Sequence, residues 1–218
     1  MLLGADGLEK LAASTVTVFG LGGVGSFAAE ALVRTGVGTL VVVDHDTVAE
    51  SNLNRQLLAL RSTLGRSKVE VFAERARDIN PCANVMTHQV FVNNETISAF
   101  DFTSCSYILD CVDTVTAKLL IIEHARDASV PVISCLGTGN KLDPTRLELT
   151  EIEKTTMCPL ARVIRRELRI RGILKVPVLY SREEPQRSTG RTPGSIAFVP
   201  SAAGLNLAGA VVRSITGR

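Results

Sequence analysis

The sequence predicts an α/β fold, a doubly wound, mostly parallel sheet with a C-terminal α+β extension. Three observations carry that reading. Short apolar runs alternate with helical stretches from Thr15 to Cys135, the pattern of repeated βαβ units. Seven Phe, two Tyr and no Trp leave the core to Val, Leu, Ile and Ala, which suits strands buried on both faces beneath helices. A glycine-rich break, Gly20 to Gly25, parts the first apolar run from the first helical one.

Thr15 to Phe19 reads as a buried strand, and Val24 to Thr35 as a helix that Gly36 and Gly38 end. Thr39 to Asp44 is a second strand, apolar on both faces, closing a βαβ unit. His45 to Leu64 has no clean period and predicts irregular structure. Gly65-Arg66-Ser67 opens a helix that runs to Ile79, with Val69, Phe72, Ala73, Ala76 and Ile79 on one face, and Pro81 stops it. A strand over Val85–Val90, a short helix over Asn94–Phe100, a strand over Tyr107–Asp110, a helix over Thr116–Ala128 and a strand over Val130–Cys135 follow. After Gly137 the alternation changes. Arg146–Glu151 predicts a strand and Pro159–Arg171 a helix with Leu160, Val163, Ile164 and Leu168 on one face. Val176–Tyr180 is a strand, Ser181–Ser195 a loop and Ile196–Val199 a last strand. Ser201 caps a final helix to about Ile215, on the argument that Pro200 cannot lie within it. Residues 1–136 are expected to form a Rossmann-like core and 137–218 an extension of the same domain.

Hydrophobic residues make up 45% and charged residues 21%, which excludes a disordered tail, a collagen and a coiled coil. Asn206 and Arg213 interrupt the C-terminal apolar run, which falls short of the ~20 residues of a membrane span. The N-terminus lacks a basic region followed by an apolar run, so no secretory signal and a cytoplasmic location are expected. Cys82, Cys105, Cys111, Cys135 and Cys158 form no C-x-x-C pair, which argues against a zinc ribbon and for reduced, structural thiols. Scarce aromatics also argue against stacking on many splayed bases. Charge is nearly balanced, 24 basic against 22 acidic residues, but Ala161 to Arg191 holds nine basic residues and only Glu167, Glu183 and Glu184 as acids. Such a basic segment suits an anionic partner.

Gly20-Leu21-Gly22-Gly23-Val24-Gly25 matches G-x-G-x-x-G between a strand and a helix. Glycines there let a phosphate approach the backbone at a helix N-terminus, where free N–H groups and the dipole favour an anion. Asp44, ending the next strand, suits ribose hydroxyls. This Rossmann-like arrangement fits a dinucleotide or ATP. Arg55 and Lys68 bear on the choice: transfer at the α-phosphate of ATP needs fixed cations for the charge on phosphoryl oxygens and leaving pyrophosphate. Asp113 and Thr114 follow the strand ending at Asp110, and a carboxylate at such a strand end suits Mg²⁺ over the nucleotide crevice.

The glycine motif, then Asp44-x-Asp46-x-Val48-x-x-Ser51-Asn52-x-Asn54-Arg55-Gln56, then Gly65-x-x-Lys68 and Asp110-x-x-Asp113, resembles the ubiquitin-activating-type (ThiF/MoeB/HesA-like) adenylyltransferases over residues 4–136. The resemblance implies that Gly20, Gly22, Gly23, Gly25 and Asp44 bind ATP and its ribose. Asn52, Arg55 and Lys68 would hold phosphates, Ser51, Gln56 and Thr114 would complete the nucleotide site, and Asp113 would hold Mg²⁺. Arg55, Lys68 and Asp113 would be its catalytic groups. Gly137-Thr138-Gly139-Asn140-Lys141-Leu142-Asp143-Pro144-Thr145, Lys154-Thr155 with Cys158-Pro159-Leu160-Ala161, and Tyr180-Ser181-Arg182-Glu183-Glu184-Pro185 are similar to the branch of tRNA threonylcarbamoyladenosine dehydratases. That branch implies ATP-dependent activation of the threonine carboxylate of the modified nucleoside, followed by dehydrative cyclisation with no enzyme nucleophile. It also implies a homodimer in which an arginine, from a segment ahead of Leu2-Leu3-Gly4, reaches the partner subunit's ATP phosphates; the sequence opens at Met1.

Arg162, Arg165, Arg166 and Arg169 fall on the polar face of the Pro159–Arg171 helix and are candidates for tRNA phosphates, with Arg182, Arg187 and Arg191 on the loop that follows. The final helix is apolar nearly all round (Leu205, Leu207, Ala208, Val211, Val212) and must be covered by core or partner. Three rival functions stay open on the residues. One is an activator of a sulfur-carrier or ubiquitin-like protein, with a carrier or sulfur donor as partner. The others are a nicotinamide-binding oxidoreductase and an ATP-binding module without turnover.

Overall fold

The computed structural model describes residues 2–186 and 193–218. Its sheet has seven strands: β1 (Thr15–Phe19), β2 (Thr39–Val43), β3 (Asn84–His88), β4 (Tyr107–Asp110), β5 (Val132–Cys135), β6 (Leu147–Glu151) and β7 (Pro177–Ser181). They lie in the order β3-β2-β1-β4-β5-β7-β6. All pairings are parallel except β6 with β7, an antiparallel edge whose register runs from Leu147 opposite Ser181 to Glu151 opposite Pro177. Strand order therefore reverses between β1 and β4. In an open α/β sheet that switch point is where the crevice at the strands' C-terminal ends takes a ligand.

Six helices cover the sheet: α1 (Gly4–Ala12), α2 (Gly25–Thr35), α3 (Lys68–Ile79), α4 (Val115–Asp127), α5 (Pro159–Ile170) and α6 (Phe198–Thr216). Alternation along the strands sorts them into two layers. Val16 and Val18 of β1 and Leu40 and Val42 of β2 join Leu11, Leu32, Phe72, Leu207 and Val211 of α1, α2, α3 and α6. Phe19 and Val43 point the other way and join Ala117, Ile121 and Ala125 of α4. A third cluster seats Ile164 and Leu168 of α5 against Leu119 and Ile122 of α4 and Val178 and Tyr180 of β7.

Three local expectations are corrected. No strand forms at Ile196–Val199; Phe198 already begins α6, so Ser201 is not its cap, and Ala197 holds that place. Pro200 lies within the helix after all, because it falls in the first turn, where the missing N–H would have had no intrahelical acceptor. The helix expected over Asn94–Phe100 shrinks to a 3₁₀ turn, Ile97–Ala99. There the Asn93 side chain accepts the N–H groups of Glu95 and Thr96 and competes with helical bonding. The sequence reading also passed over α1, whose Leu11 is fully buried. Helix α6 is long and apolar enough to cross a membrane by length and composition alone. In this fold it packs on α1 and α2, and the core covers the face that carries Leu207, Ala208 and Val211. Leu205 and Phe198 remain exposed.

Candidate active site

A cavity of about 550 Å³ opens at the switch point, a size that suits a nucleotide. The turn from β1 into α2 forms one wall. Gly20 has φ +89°, and a Cβ on it would lie 2.8 Å from the Cys111 carbonyl oxygen. A Cβ on Gly25 would lie 1.8 Å from the Gly20 carbonyl oxygen, so only glycine fits where the turn folds back on itself. Gly20, Gly22 and Gly23 line the cavity and Gly25 does not; it serves the shape of the turn.

Asp44 is buried just past β2. Its Oδ2 accepts the Leu21 N–H at 2.6 Å and its Oδ1 the Asp46 N–H at 2.9 Å. The carboxylate thus ties the glycine turn to the β2 end. Each oxygen has a second lone pair, which leaves acceptor capacity toward the cavity. Lys68, at the start of α3, is 3% exposed and donates to Asp46 Oδ2 at 2.7 Å, with Asp44 Oδ1 at 3.9 Å. Arg55 reaches the cavity from the irregular segment, its Nη1 donating to the Ser51 carbonyl and to Asn54 Oδ1, both at 2.9 Å. Gln56 lines the same wall. Ser51 and Asn52 do not. The Asn52 side chain accepts the Ala49 N–H at 3.1 Å, and Ser51 supplies only the carbonyl that steadies Arg55, so both shape the segment that presents Arg55. Across the cavity, beyond β4, stand Asp113 and Thr114, both exposed and both on its wall.

Beneath that wall lies an ion pair the sequence reading missed. Lys118 of α4 and Asp110 at the end of β4 are both fully buried. The ammonium donates to Asp110 Oδ1 at 3.2 Å and Oδ2 at 3.1 Å, and to the Cys135 carbonyl at 2.6 Å. Ser134 Oγ donates to Asp110 Oδ2 at 2.5 Å, and the Val112 N–H to Oδ1 at 3.2 Å. The signal was present: Lys118 starts the spacing Lys118, Ile121, Ile122, Ala125, a cation on an apolar stripe. Cys111 and Cys135 line the cavity floor. Burial raises the Cys111 thiol well above its ordinary value and pushes Cys135 up to about 12, which keeps both protonated and poor nucleophiles.

The far end of the cavity is built by the extension: Gly137 to Lys141 after β5, Cys158 to Leu160 at the start of α5, and Pro185, Pro193 and Ser195. Glu183 fixes this end. Its carboxylate accepts the Leu142 N–H at 3.0 Å and the Asp143 N–H at 2.9 Å, and its carbonyl accepts the Lys141 ammonium. Burial would raise the Glu183 carboxyl, but these backbone donors outweigh it and hold the group below its ordinary value.

The arginines of α5 divide. Arg162 and Arg169 are exposed and form no ion pair among the described residues. Arg166 pairs with Glu167 at 3.0 Å. Arg165 is turned inward, its Nη1 donating to the carbonyl and hydroxyl of Thr155 at 2.8 Å each, so it braces the start of its own helix. Arg182 faces Glu148 at 3.3 Å. Arg187 and Arg191 lie outside the described residues.

The model of the family described as "ThiF family" matches residues 1–218. The chain belongs to the ThiF family. Among similar ThiF-type proteins, the tRNA threonylcarbamoyladenosine dehydratase of Bacillus subtilis (strain 168) is 42% identical over 99% of this chain and 92% of its own length. The Escherichia coli (strain K12) protein of the same name is 39% identical over 77% of this chain, which spans 63% of that relative. Crystal structures of the E. coli tRNA N6-threonylcarbamoyladenosine dehydratase superpose with TM-scores of 0.94 in complex with AMP and 0.93 in complex with ATP. Both are 33% identical and cover 99% of this chain and 91% of theirs. The seven-stranded doubly wound sheet of this ThiF-family chain is the fold of those structures.

Proposed function

We propose that this protein is an ATP-dependent, adenylate-forming tRNA threonylcarbamoyladenosine dehydratase. The observation that carries the reading is one cavity that gathers the glycine turn, Arg55, Lys68 and Asp113 at the switch point and continues into the extension, in a chain matching such dehydratases over nearly its whole length. ATP lies with its phosphates against the glycine turn. Asp44 faces the ribose, and Arg55 and Lys68 neutralise the triphosphate. Asp113 fits Mg²⁺: it is an exposed hard-oxygen ligand on the cavity wall with no ion-pair partner among the described residues. Asp46 is committed to Lys68, and the free capacity of Asp44 is given to the ribose. Bound there, Mg²⁺ would offset charge on the phosphates.

The threonine carboxylate of the modified nucleoside attacks the α-phosphorus and pyrophosphate leaves. An atom of the same modification then attacks the acyl carbon, AMP leaves, and the attacking group's proton passes to solvent. The net change in the nucleoside is the loss of one water. No enzyme nucleophile is required, which agrees with the protonated state of Cys111 and Cys135. The exposed Arg162, Arg166 and Arg169 form the tRNA-facing surface, the protein works in the cytoplasm, and it acts as a homodimer for which exposed Phe198 and Leu205 are contact candidates.

The test is to incubate the protein with ATP, Mg²⁺ and tRNA carrying threonylcarbamoyladenosine, then weigh the digested nucleoside. Loss of one water is expected, and chelation of Mg²⁺ or Asp113→Asn should abolish it with the fold intact by circular dichroism. Reversing Arg162, Arg166 and Arg169 to Glu should weaken tRNA binding and flatten its salt dependence, with the ATP-induced thermal shift unchanged. Adenylylation of a carrier protein's C-terminus instead, with the nucleoside unchanged, would replace this reading by the carrier-activating one.

A further inference from the structure

Three lysines are almost completely buried: Lys68, Lys118 and Lys141. Lys68 has the carboxylate of Asp46 at 2.7 Å and Lys118 that of Asp110 at 3.1 Å. Lys141, 4% exposed, forms no ion pair among the described residues. Its one hydrogen-bond acceptor among them is the main-chain carbonyl of Glu183. The carboxylate of that same residue is spent on the Leu142 and Asp143 N–H groups. Residues 187–192 contain no acidic side chain, so they hold no missing counter-charge.

A buried cation with no anion in contact is costly, because its desolvation is only partly compensated. An ammonium has three donors, and one is in use here among the described residues. Burial draws the Lys141 amine below the ordinary lysine range, against the opposing pull of Cys158, Glu183 and Glu184. An incoming carboxylate would reverse that cost.

Position identifies the anion. Lys141 lines the cavity on the β5–β7 side of the switch point, whereas Lys68 and Arg55 line it on the β2 side with the glycine turn. Lys68 and Arg55, beside the glycine turn, are placed for the triphosphate, which leaves Lys141 for a different anion. The first turn of α5 opens onto the same end, with Cys158 and Pro159 on the wall, and its dipole adds positive potential there.

We propose that Lys141 is the acceptor-carboxylate site: its ammonium binds the threonine carboxylate of the incoming nucleoside before that group is adenylylated. The inference rests on the dehydratase reading and goes beyond it in assigning which residue holds the reacting group.

The experiment compares inhibition of tRNA modification by the free nucleoside threonylcarbamoyladenosine and by its methyl ester, which lacks the anion. With the wild-type protein the acid should compete at least tenfold better than the ester. In Lys141→Met the two should compete equally and KM for the tRNA should rise tenfold or more, with KM for ATP unchanged. Lys141→Arg should restore much of the preference. Lys141→Gln keeps an N–H donor for the Glu183 carbonyl, so it separates loss of charge from loss of that tether and decides the matter should the methionine variant not fold. It should behave as Lys141→Met does. Equal competition by acid and ester in an active wild-type protein overturns the Lys141 assignment alone. A wild-type protein that leaves the tRNA nucleoside unchanged overturns the dehydratase reading, and the assignment with it.

Discussion

Replacing Lys118 with methionine should cost the fold about 3 kcal/mol. Breaking a buried ion pair from one side costs about 3–5 kcal/mol, because the remaining charge stays desolvated. The low end applies, since Asp110 keeps two donors, Ser134 Oγ at 2.5 Å and the Val112 N–H at 3.2 Å. Urea denaturation followed by far-ultraviolet circular dichroism reads this out. With a slope of roughly 2–3 kcal/mol per M, the midpoint should fall by about 1 M or more with the slope unchanged. The double variant Asp110→Asn/Lys118→Met leaves no buried charge at this site and should return to within about 1 kcal/mol of the wild type, as neutralised pairs commonly do. The reasoning fails if the single variant unfolds within about 0.5 kcal/mol of the wild type, or if the double variant is as unstable as the single one.

Gly25→Ala should destabilise the protein by about 1–3 kcal/mol and remove its thermal stabilisation by ATP, because the new methyl meets the Gly20 carbonyl and main chain cannot swing aside; an unchanged melting temperature and ATP shift would refute this. Glu183 gives a pH dependence of definite sign. Its carboxyl is held below the ordinary value of 4.5, so it contributes stability above about that pH, and the contribution is lost as pH falls through the lowered value. Urea midpoints from pH 7 to pH 3 should therefore fall less steeply for Glu183→Gln than for the wild type, and parallel curves would contradict the assignment.

Apart from α1 and the turn at Ile97–Ala99, the strands and helices up to Cys135 were legible because most are short, apolar on the correct period and punctuated by Gly or Pro. That the glycine turn, Lys68 and Asp113 would meet at one cavity was legible because each sits at the C-terminal end of a strand or the start of the helix that follows. Lys118 was legible in principle as a charge on an apolar stripe, but helical periodicity rests on the majority of a face and hides a single exception. Lys141 could not be found that way. Its burial follows from β7 entering the sheet beside β5 and bringing Glu183 over it, a contact between residues 42 positions apart. Pro200 misled because a rule for helix interiors was applied to a first turn. Arg165 looked like its neighbours in the sequence, and only the turn at Thr155 distinguishes a brace from a free cation.

Near the N-terminus of α6, Pro200 leans on Gly23, where an added Cβ would approach the proline ring to 3.2 Å. One turn further on, Gly204 lies so close to α2 that an added Cβ would meet the Val24 carbonyl oxygen at 2.3 Å. A helix late in the sequence is thus keyed into a turn near its start. A chain ending before Phe198 would leave the glycine turn without that backing and the β1–β2 face without Leu207 and Val211. Such a chain is expected to gain less thermal stabilisation from ATP than the whole protein.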